Sequence, residues 1–297
     1  MPQADAIERA SWLADRAAVF LLRLSVISRL WPVRSLTRDH VKRLGGTRFA
    51  VAVADGASID ALHIPAKANR PRRLPVIFAH GWLETKEFHL YEARLLSRRG
   101  HDVILIDLRR HGRSTGRFIT FGVKEKQDVA AVIDAAQHRG WVDDRAITFG
   151  YSLGAATMLQ HAGVDERVAG VVAMAPFNTM ADAVKSFQDG HGMRFGHTWL
   201  RRGFDQACRR LGFDMAEASP AAFMEKLHVP ALFIVGDRDR LLPQDEHSRR
   251  LAEAKVNGQS RLVTIAGAGH VDICVRRWQD RDQAIVEFCE QVSSAKR

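Results

Sequence analysis

Cysteine is scarce in this chain of 297 residues, which contains only three: Cys208, Cys274 and Cys289. Three cysteines are too few for a disulfide framework or for a zinc site with four cysteine ligands. The low count is typical of a reducing compartment, so the sequence predicts a cytoplasmic location. We expect neither a cofactor nor a metal site.

Long apolar runs are also missing, since no stretch approaches the roughly 20 uninterrupted apolar residues of a membrane-spanning helix. The most apolar N-terminal segment, Trp12–Trp31, is predicted to be a helix, but four charged residues interrupt it. A secretory signal carries its charges before its apolar core, and no small-residue cleavage site is evident here. Arg16 and Arg23 share one helical face, so residues 1–45 either pack on the main domain or lie on an anionic membrane surface. A targeting role is a third reading.

Acidic residues are outnumbered, with 34 Asp and Glu against 44 Lys and Arg and a net charge of +10. Residues 1–75 hold 13 basic and 6 acidic residues, a net +7, and the remaining 222 residues hold only +3. Zinc-finger spacing, an aromatic RNA-binding strand and a basic zipper are all absent from the sequence. We therefore expect no nucleic-acid partner, and the basic excess bears mainly on the N-terminal segment.

The composition of 46% apolar and 26% charged residues is ordinary for a globular protein. Alternating polar and apolar residues predict a β-hairpin from Arg48–Val53 and Ser58–His63. Short apolar runs then alternate with helical stretches, as in a mostly parallel sheet flanked by helices. The predicted strands are Leu74–Ala79, Asp102–Asp107, Ala146–Gly150, Val168–Met174, Val229–Gly236 and Arg261–Ile265, and the predicted helices are 87–99, 123–139, 153–163, 244–255 and 275–293.

About fifty residues, between the predicted strand that ends at Met174 and the one that begins at Val229, have helical composition and contain no strand. They predict a helical cap or lid, residues 176–222, over one end of an α/β core formed by residues 46–175 and 223–297. Residues 1–45 form a separate N-terminal helical segment in this division of the chain.

The strongest chemical signal is the motif Gly150-Tyr151-Ser152-Leu153-Gly154, which follows a buried strand and opens a helix. This strand–turn–helix context is the one that a G-x-S-x-G nucleophile requires. The turn raises the Ser152 hydroxyl to the carboxyl edge of the sheet. It also places the Leu153 amide at a helix N-terminus, where it would stabilise an oxyanion.

A serine hydroxyl needs a base to take its proton. Of thirteen histidines, only His270 lies in a short loop of small residues after a late strand. An acid must orient that base. Asp237 and Asp239 both follow the strand that ends at Gly236, and we prefer Asp239 because it can reach into the loop region.

The second oxyanion donor is expected after the first long parallel strand, in His80-Gly81-Trp82. Gly81 permits a tight backbone there, which leaves the Trp82 amide free to point at a substrate oxygen.

Five motifs in order resemble the serine α/β-hydrolases, closest to serine-aminopeptidase-like and prolyl-oligopeptidase-like enzymes. They are Ala79-His80-Gly81, Asp107-Leu108-Arg109-Arg110-His111-Gly112-Arg113-Ser114, Gly150–Gly154, Gly236–Pro243 and Gly269-His270. The resemblance covers about residues 47–290 and implies an α/β-hydrolase fold. Arg110 departs from the family, which often has glycine there, but that stretch is mainly architectural.

We therefore expect a serine hydrolase that cleaves a small-molecule acyl ester through the catalytic residues Ser152, Asp239 and His270. Aromatic residues of the cap and its surroundings are candidates for the substrate pocket: Trp82, Tyr151, Phe177, Phe195 and Trp199. A peripheral lipase or lysophospholipase docked through residues 1–45 is an alternative, as are a peptidase, a thioesterase and an acyltransferase on the same triad. Outside the enzymes, the alternative is a non-catalytic binding protein. The sequence leaves the oligomeric state open.

Overall fold

Eight strands form one twisted sheet in the structure, a computed structural model that describes residues 38–67, 69–190, 197–255 and 259–295. The strands are β1 Thr47–Ala52, β2 Ser58–Ile64, β3 Val76–Ala79, β4 Val103–Ile106, β5 Ala146–Tyr151, β6 Val168–Met174, β7 Ala231–Gly236 and β8 Ser260–Ile265. Their order across the sheet is β1-β2-β4-β3-β5-β6-β7-β8. Strands β2 to β1 and β2 to β4 pair antiparallel, and all the other pairs are parallel.

The predicted hairpin is present as β1 and β2, with Ala52 opposite Ser58. Gly56 has a φ of +75° in the connecting turn, a conformation that costs glycine little because it has no side chain. Each of the six other predicted strands is also found. Three of them, β3, β4 and β7, are shorter than predicted because the flanking residues form the loops at the sheet edges, and the remaining three agree to within one residue.

Nine α-helices surround the sheet within the described ranges: α1 Arg38–Arg43, α2 Leu90–Ser97, α3 Glu125–Gln137, α4 Leu153–Ala162, α5 Met180–Gly190, α6 His197–Arg210, α7 Ser248–Ala254, α8 Asp272–Val275 and α9 Gln279–Ser294. Two predicted helices are divided. Residues 87–99 begin as a 3₁₀ turn, Lys86–His89, before α2. The helix predicted over residues 275–293 begins at Asp272 in the structure. It is split into α8 and α9 because the chain becomes extended at Arg276 and Trp278.

The sheet has an apolar core on each face, as a sheet covered by helices on both sides requires. Helices α3 and α4 contribute to one core, together with Phe204 of α6. Helices α2 and α9 contribute to the other core through residues such as Leu96 and Phe288. This layered arrangement confirms the predicted fold class.

The connection between β6 and β7 contains α5, α6 and two 3₁₀ turns, Met215–Glu217 and Pro220–Lys226. The predicted N-terminal helix Trp12–Trp31 lies outside the described residues. No helix in the described ranges combines the length and the apolarity needed to cross a bilayer.

Candidate active site

Ser152 occupies a strained turn between the last residue of β5 and the first residue of α4. Its φ of +50° and ψ of −113° are rare for a residue with a side chain. A Cβ atom at Gly150 would overlap the backbone of Gly154, and one at Gly154 would overlap the backbone of Ala79. The two glycines therefore allow strand and helix to approach closely enough for the turn to form.

The structure brings Ser152, His270 and Asp239 into one hydrogen-bonded chain. The Nε2 atom of His270 lies 3.0 Å from the Oγ atom of Ser152, and its Nδ1 atom lies 2.7 Å from Oδ2 of Asp239. The carboxylate can only accept at Nδ1, so a neutral His270 carries its proton there and its Nε2 atom accepts from the serine hydroxyl. The three residues follow β5, β8 and β7, at the carboxyl edge of the sheet.

Asp239 is held rigidly beside the imidazole. Its Oδ1 atom accepts the amides of Leu241 and Leu242 at 3.0 and 2.8 Å, and the residue is buried. The exposed Asp237 instead accepts the amide of Gly267 at 2.6 Å, on the loop that leads to His270. Of the two aspartates that the sequence left open, Asp239 is therefore the one that contacts the histidine.

Trp82 and Leu153, whose amides are the predicted oxyanion donors, line the same cavity as Ser152. Leu153 is the first residue of α4, so its amide has no partner within the helix. No acceptor contacts either amide within the described part of the chain. His80 donates from Nδ1 to the Gly81 carbonyl at 2.6 Å and accepts the Leu108 amide at Nε2. Burial lowers the pKa of His80, which agrees with this neutral role.

A cavity of about 150 Å³ opens beside Ser152. Two of the predicted pocket residues, Trp82 and Phe177, line it. The side chain of Trp199 is not described, and Phe195 lies outside the described residues. Apart from Ser152, the remaining lining residues are apolar and come mostly from the connection between β6 and β7: Phe121, Leu153, Met180, Ala183, Val184, Phe187, Leu200, Phe204, Leu241 and Leu242.

The prediction that Tyr151 lines the pocket is wrong. Its ring is buried in the core on the opposite face of the sheet, and its hydroxyl donates to the carbonyl oxygen of His270 at 2.7 Å. Side chains alternate between the two faces of a strand, and the position of Tyr151 in β5 turns it away from the cavity.

The sequence reasoning overlooked the cavity residues of α5, although they leave a recognisable signal. Met180, Ala183, Val184 and Phe187 have the spacing of one helical face. This periodicity indicates that α5 turns one apolar face inward, and the structure places the cavity there.

One group of potential metal ligands occurs among the described residues: Glu84, His89 and Cys274. The Oε2 atom of Glu84 lies 3.1 Å from Nε2 of His89, whereas the sulfur of Cys274 lies 3.8 Å from Nδ1 of the same ring. The carboxylate and the thiol therefore face opposite nitrogens of the ring. This arrangement is that of a hydrogen-bonded chain rather than of ligands around a single ion.

Known proteins resemble this chain in sequence and in fold. The uncharacterized protein YqkD of Bacillus subtilis (strain 168) is 25% identical over 268 residues, 86% of this chain and 83% of that protein. The esterase Pf2001 of Pyrococcus furiosus superposes with a TM-score of 0.67 at 19% identity, over 84% of this chain and 95% of the esterase. The acylaminoacyl peptidase of Pyrococcus horikoshii superposes with a TM-score of 0.64 at 15% identity, over 84% of this chain and 41% of the peptidase.

The sequence profile of the alpha/beta hydrolase family matches residues 76–288, most of the chain and all three members of the hydrogen-bonded chain at Ser152. This match supports a hydrolase activity. The protein belongs to the alpha/beta hydrolase family.

Proposed function

We propose that the protein hydrolyses a carboxylic ester with an apolar acyl group, using Ser152 as nucleophile, His270 as base and Asp239 as orienting acid. The observation that carries this proposal is the continuous hydrogen-bonded chain from the Ser152 hydroxyl through His270 to Asp239, beside an apolar cavity. A nucleophile bonded to a base that is itself oriented by a third group is the arrangement that activates a serine.

In the first half of the reaction, Nε2 of His270 takes the hydroxyl proton as the Oγ atom of Ser152 attacks the ester carbonyl carbon. The carbonyl oxygen becomes negative and accepts hydrogen bonds from the Trp82 and Leu153 amides. Asp239 stabilises the imidazolium that forms. His270 then protonates the leaving alkoxide as the ester bond breaks, which releases an alcohol and leaves an acyl-enzyme.

In the second half, His270 takes a proton from water, and the resulting hydroxide attacks the acyl carbon. The tetrahedral intermediate collapses, the Ser152 oxygen recovers its proton from His270 and a carboxylic acid departs. The same two amides stabilise the oxyanion in both halves, so one rigid site serves both steps.

The cavity favours an apolar acyl group because none of the described residues that line it carries a charged side chain. A charged acyl group would lose its hydration there without gaining a partner, which is costly in an apolar environment. The triad by itself would also serve amides, thioesters and acyl transfer. We favour esters because the described lining of the cavity offers no charged group that would recognise a peptide.

A fluorophosphonate probe tests the nucleophile. We expect stoichiometric labelling of the wild type and none of Ser152→Ala. Ser294→Ala, at the end of α9 remote from the site, is the matched control and should label normally. Absence of labelling and of turnover in a folded wild type would favour a non-catalytic binding protein.

A chain-length series of p-nitrophenyl esters tests the substrate. We expect the ratio kcat/KM to rise from acetate to medium-chain esters. Matched amide and thioester substrates should be cleaved more slowly, and a faster amide reaction would reassign the protein as a peptidase or amidase. Addition of a competing alcohol reveals acyl transfer as the formation of a new ester.

A further inference from the structure

The loop from His80 to Lys86 carries the Trp82 amide, and hydrogen bonds hold it along its length. The amide of Leu83 donates to Nε2 of His111 at 3.2 Å, and that of Lys86 donates to Oδ1 of Asp107 at 2.9 Å. Burial lowers the pKa of His111 to about 3, so its ring stays neutral and keeps Nε2 as an acceptor. The loop is therefore fixed on the side that faces the Asp107–Ser114 stretch.

The peptide plane that bears the Trp82 amide is oriented by its neighbours. His80 donates to the Gly81 carbonyl oxygen, and in a planar trans peptide the following N–H points in the opposite direction. The amide of Gly81 itself donates to Oε2 of Glu84 at 2.9 Å. Glu84 thus reaches back across the turn and fixes the residue that precedes the donor.

Glu84 is in turn held by His89, whose Nε2 atom lies 3.1 Å from the same Oε2 atom. His89 is fully buried, and its ring packs against Phe78 with the centroids 4.3 Å apart. The Nδ1 atom of His89 faces Oε2 of Glu92 at 3.7 Å and the sulfur of Cys274 at 3.8 Å. One oxygen of Glu84 therefore links the buried imidazole to the loop.

The groups around His89 favour its charged form. Burial acts to lower the pKa of His89, but Cys274, Glu84 and Glu92 outweigh it and hold that pKa well above its ordinary value. Burial acts to raise the pKa of Glu84, and the bond and charge of His89 bring it below its ordinary value. Glu84 is consequently a carboxylate that accepts the Nε2–H of His89, and a hydrogen bond to a charged group is stronger than one between neutral groups.

Other groups complete the surroundings of His89. Tyr151 of β5 lies with its ring centroid 6.2 Å from the imidazole of His89, and His80 is near enough for the two imidazoles to interact electrostatically. Arg281 of α9 is also fully buried and lies 3.2 Å from Glu92. Two carboxylates thus flank the imidazole, and the arginine in turn pairs with one of them, Glu92.

We propose that Glu84 and His89 are positioning residues for the oxyanion donor, with His89 holding Glu84 and Glu84 holding the Gly81 amide so that the Trp82 N–H meets the reacting oxygen. This inference rests on the proposed function. These two buried side chains lie on the face of the sheet opposite the cavity and would act on the transition state through the loop.

Kinetics of Glu84→Ala and His89→Gln test the proposal. We expect kcat to fall about 10- to 100-fold, less than the 10²- to 10³-fold loss of a whole oxyanion donor, because the Trp82 amide is displaced and not removed. KM should change by less than about threefold, since the donor acts mainly on the transition state. Glu84→Gln keeps an acceptor for Gly81 and should recover most of the kcat that Glu84→Ala loses.

The double variant and a control separate positioning from general damage. Because both residues act along one path, the combined Glu84→Ala and His89→Gln variant should lose little more kcat than the worse single variant. His101→Gln removes a comparably buried histidine that precedes β4 and is bonded to the carbonyl of Leu74, which precedes β3. This histidine therefore lies at the edge of the sheet opposite the active site. It should lower the melting temperature similarly while leaving kcat within about threefold.

Equal losses of kcat in the His101 and His89 variants, or a loss expressed only in KM, would overturn the positioning role. Fluorophosphonate labelling is measured on every variant. If the wild type is labelled but kcat is unchanged in the Glu84 and His89 variants, the positioning role is rejected and the proposed function stands. Failure to label a folded wild type rejects the proposed function, and this inference with it.

Discussion

The hydroxyl of Tyr151 donates a hydrogen bond to the carbonyl oxygen of His270 at 2.7 Å. Tyr151, which precedes Ser152 in the chain, thus holds the backbone of His270, whose side chain contacts Ser152. Burial raises the pKa of Tyr151, so the phenol remains a donor across the neutral range. This contact fixes the loop that carries the imidazole, and it acts from the face of the sheet opposite the cavity beside Ser152.

We expect Tyr151→Phe to lower kcat about fivefold, the equivalent of roughly 1 kcal/mol from one hydrogen bond. Steady-state kinetics on the best ester measures it. Tyr91→Phe is the control, because Tyr91 donates to Asp282 instead and should leave kcat unchanged. Equal activity of Tyr151→Phe and the wild type would show that the rest of the loop positions His270 without this contact.

Asp239→Asn should reduce kcat by about 10³- to 10⁴-fold, because the amide no longer holds the imidazole in the required tautomer. Asp237→Asn changes the same kind of residue two positions earlier and should cost less than about fivefold, since the Asp237 carboxylate accepts the Gly267 amide whereas that of Asp239 contacts the imidazole. Rates of both variants on one ester check the prediction, and a larger loss in Asp237→Asn would contradict the assignment of the acid.

Ala183→Phe should shorten the preferred acyl chain, because Ala183 lines the cavity beside Ser152. We expect kcat/KM for a medium-chain ester to fall more than about tenfold, in the range that one methylene can cost in a fitted pocket, with little change for acetate. Ala181→Phe on the same helix lines a separate polar groove and should keep the wild-type profile. A parallel loss for all chain lengths would argue against this cavity as the acyl site.

Stability should fall in mild acid through His247, whose Nδ1 accepts the Asn178 amide and whose Nε2 contacts the Ser186 hydroxyl. Burial lowers the pKa of His247 to about 4. Between pH 6.5 and about 4 the unfolded chain therefore binds a proton that the folded chain does not. The contribution of neutral His247 to the free energy of unfolding is complete above pH 6.5. It is lost as the pH falls, by roughly 2 kcal/mol between pH 6.5 and 5.

Urea unfolding of the wild type and His247→Gln at several pH values checks this contribution. The variant should show a smaller loss of unfolding free energy in acid, because glutamine does not titrate. Identical pH slopes would contradict the assignment. His161 and His111 are also buried and neutral, so some acid sensitivity should remain in the variant.

Much of the site could be predicted because its signals are local. The nucleophile motif needs glycines within two residues of Ser152, and the overlap that a Cβ would produce at those positions explains why. Apolar runs specify buried strands, and the order of strands and helices specifies a parallel sheet whose carboxyl ends collect the loops. The expectation that Ser152 and His270 meet follows from these rules, although 118 positions separate them in the chain.

By itself, then, the sequence determined the strands, the turn at Ser152 and the identity of the residues that the sheet edge gathers, since short-range sterics and hydrophobic periodicity govern all of these. Only the tertiary structure decided which aspartate contacts His270, which face of β5 receives Tyr151, and that Glu84 and His89 meet beneath the Trp82 loop. These outcomes depend on loop paths and on the packing of distant segments. Their free energies come from contacts between residues far apart in the chain, which no local pattern records.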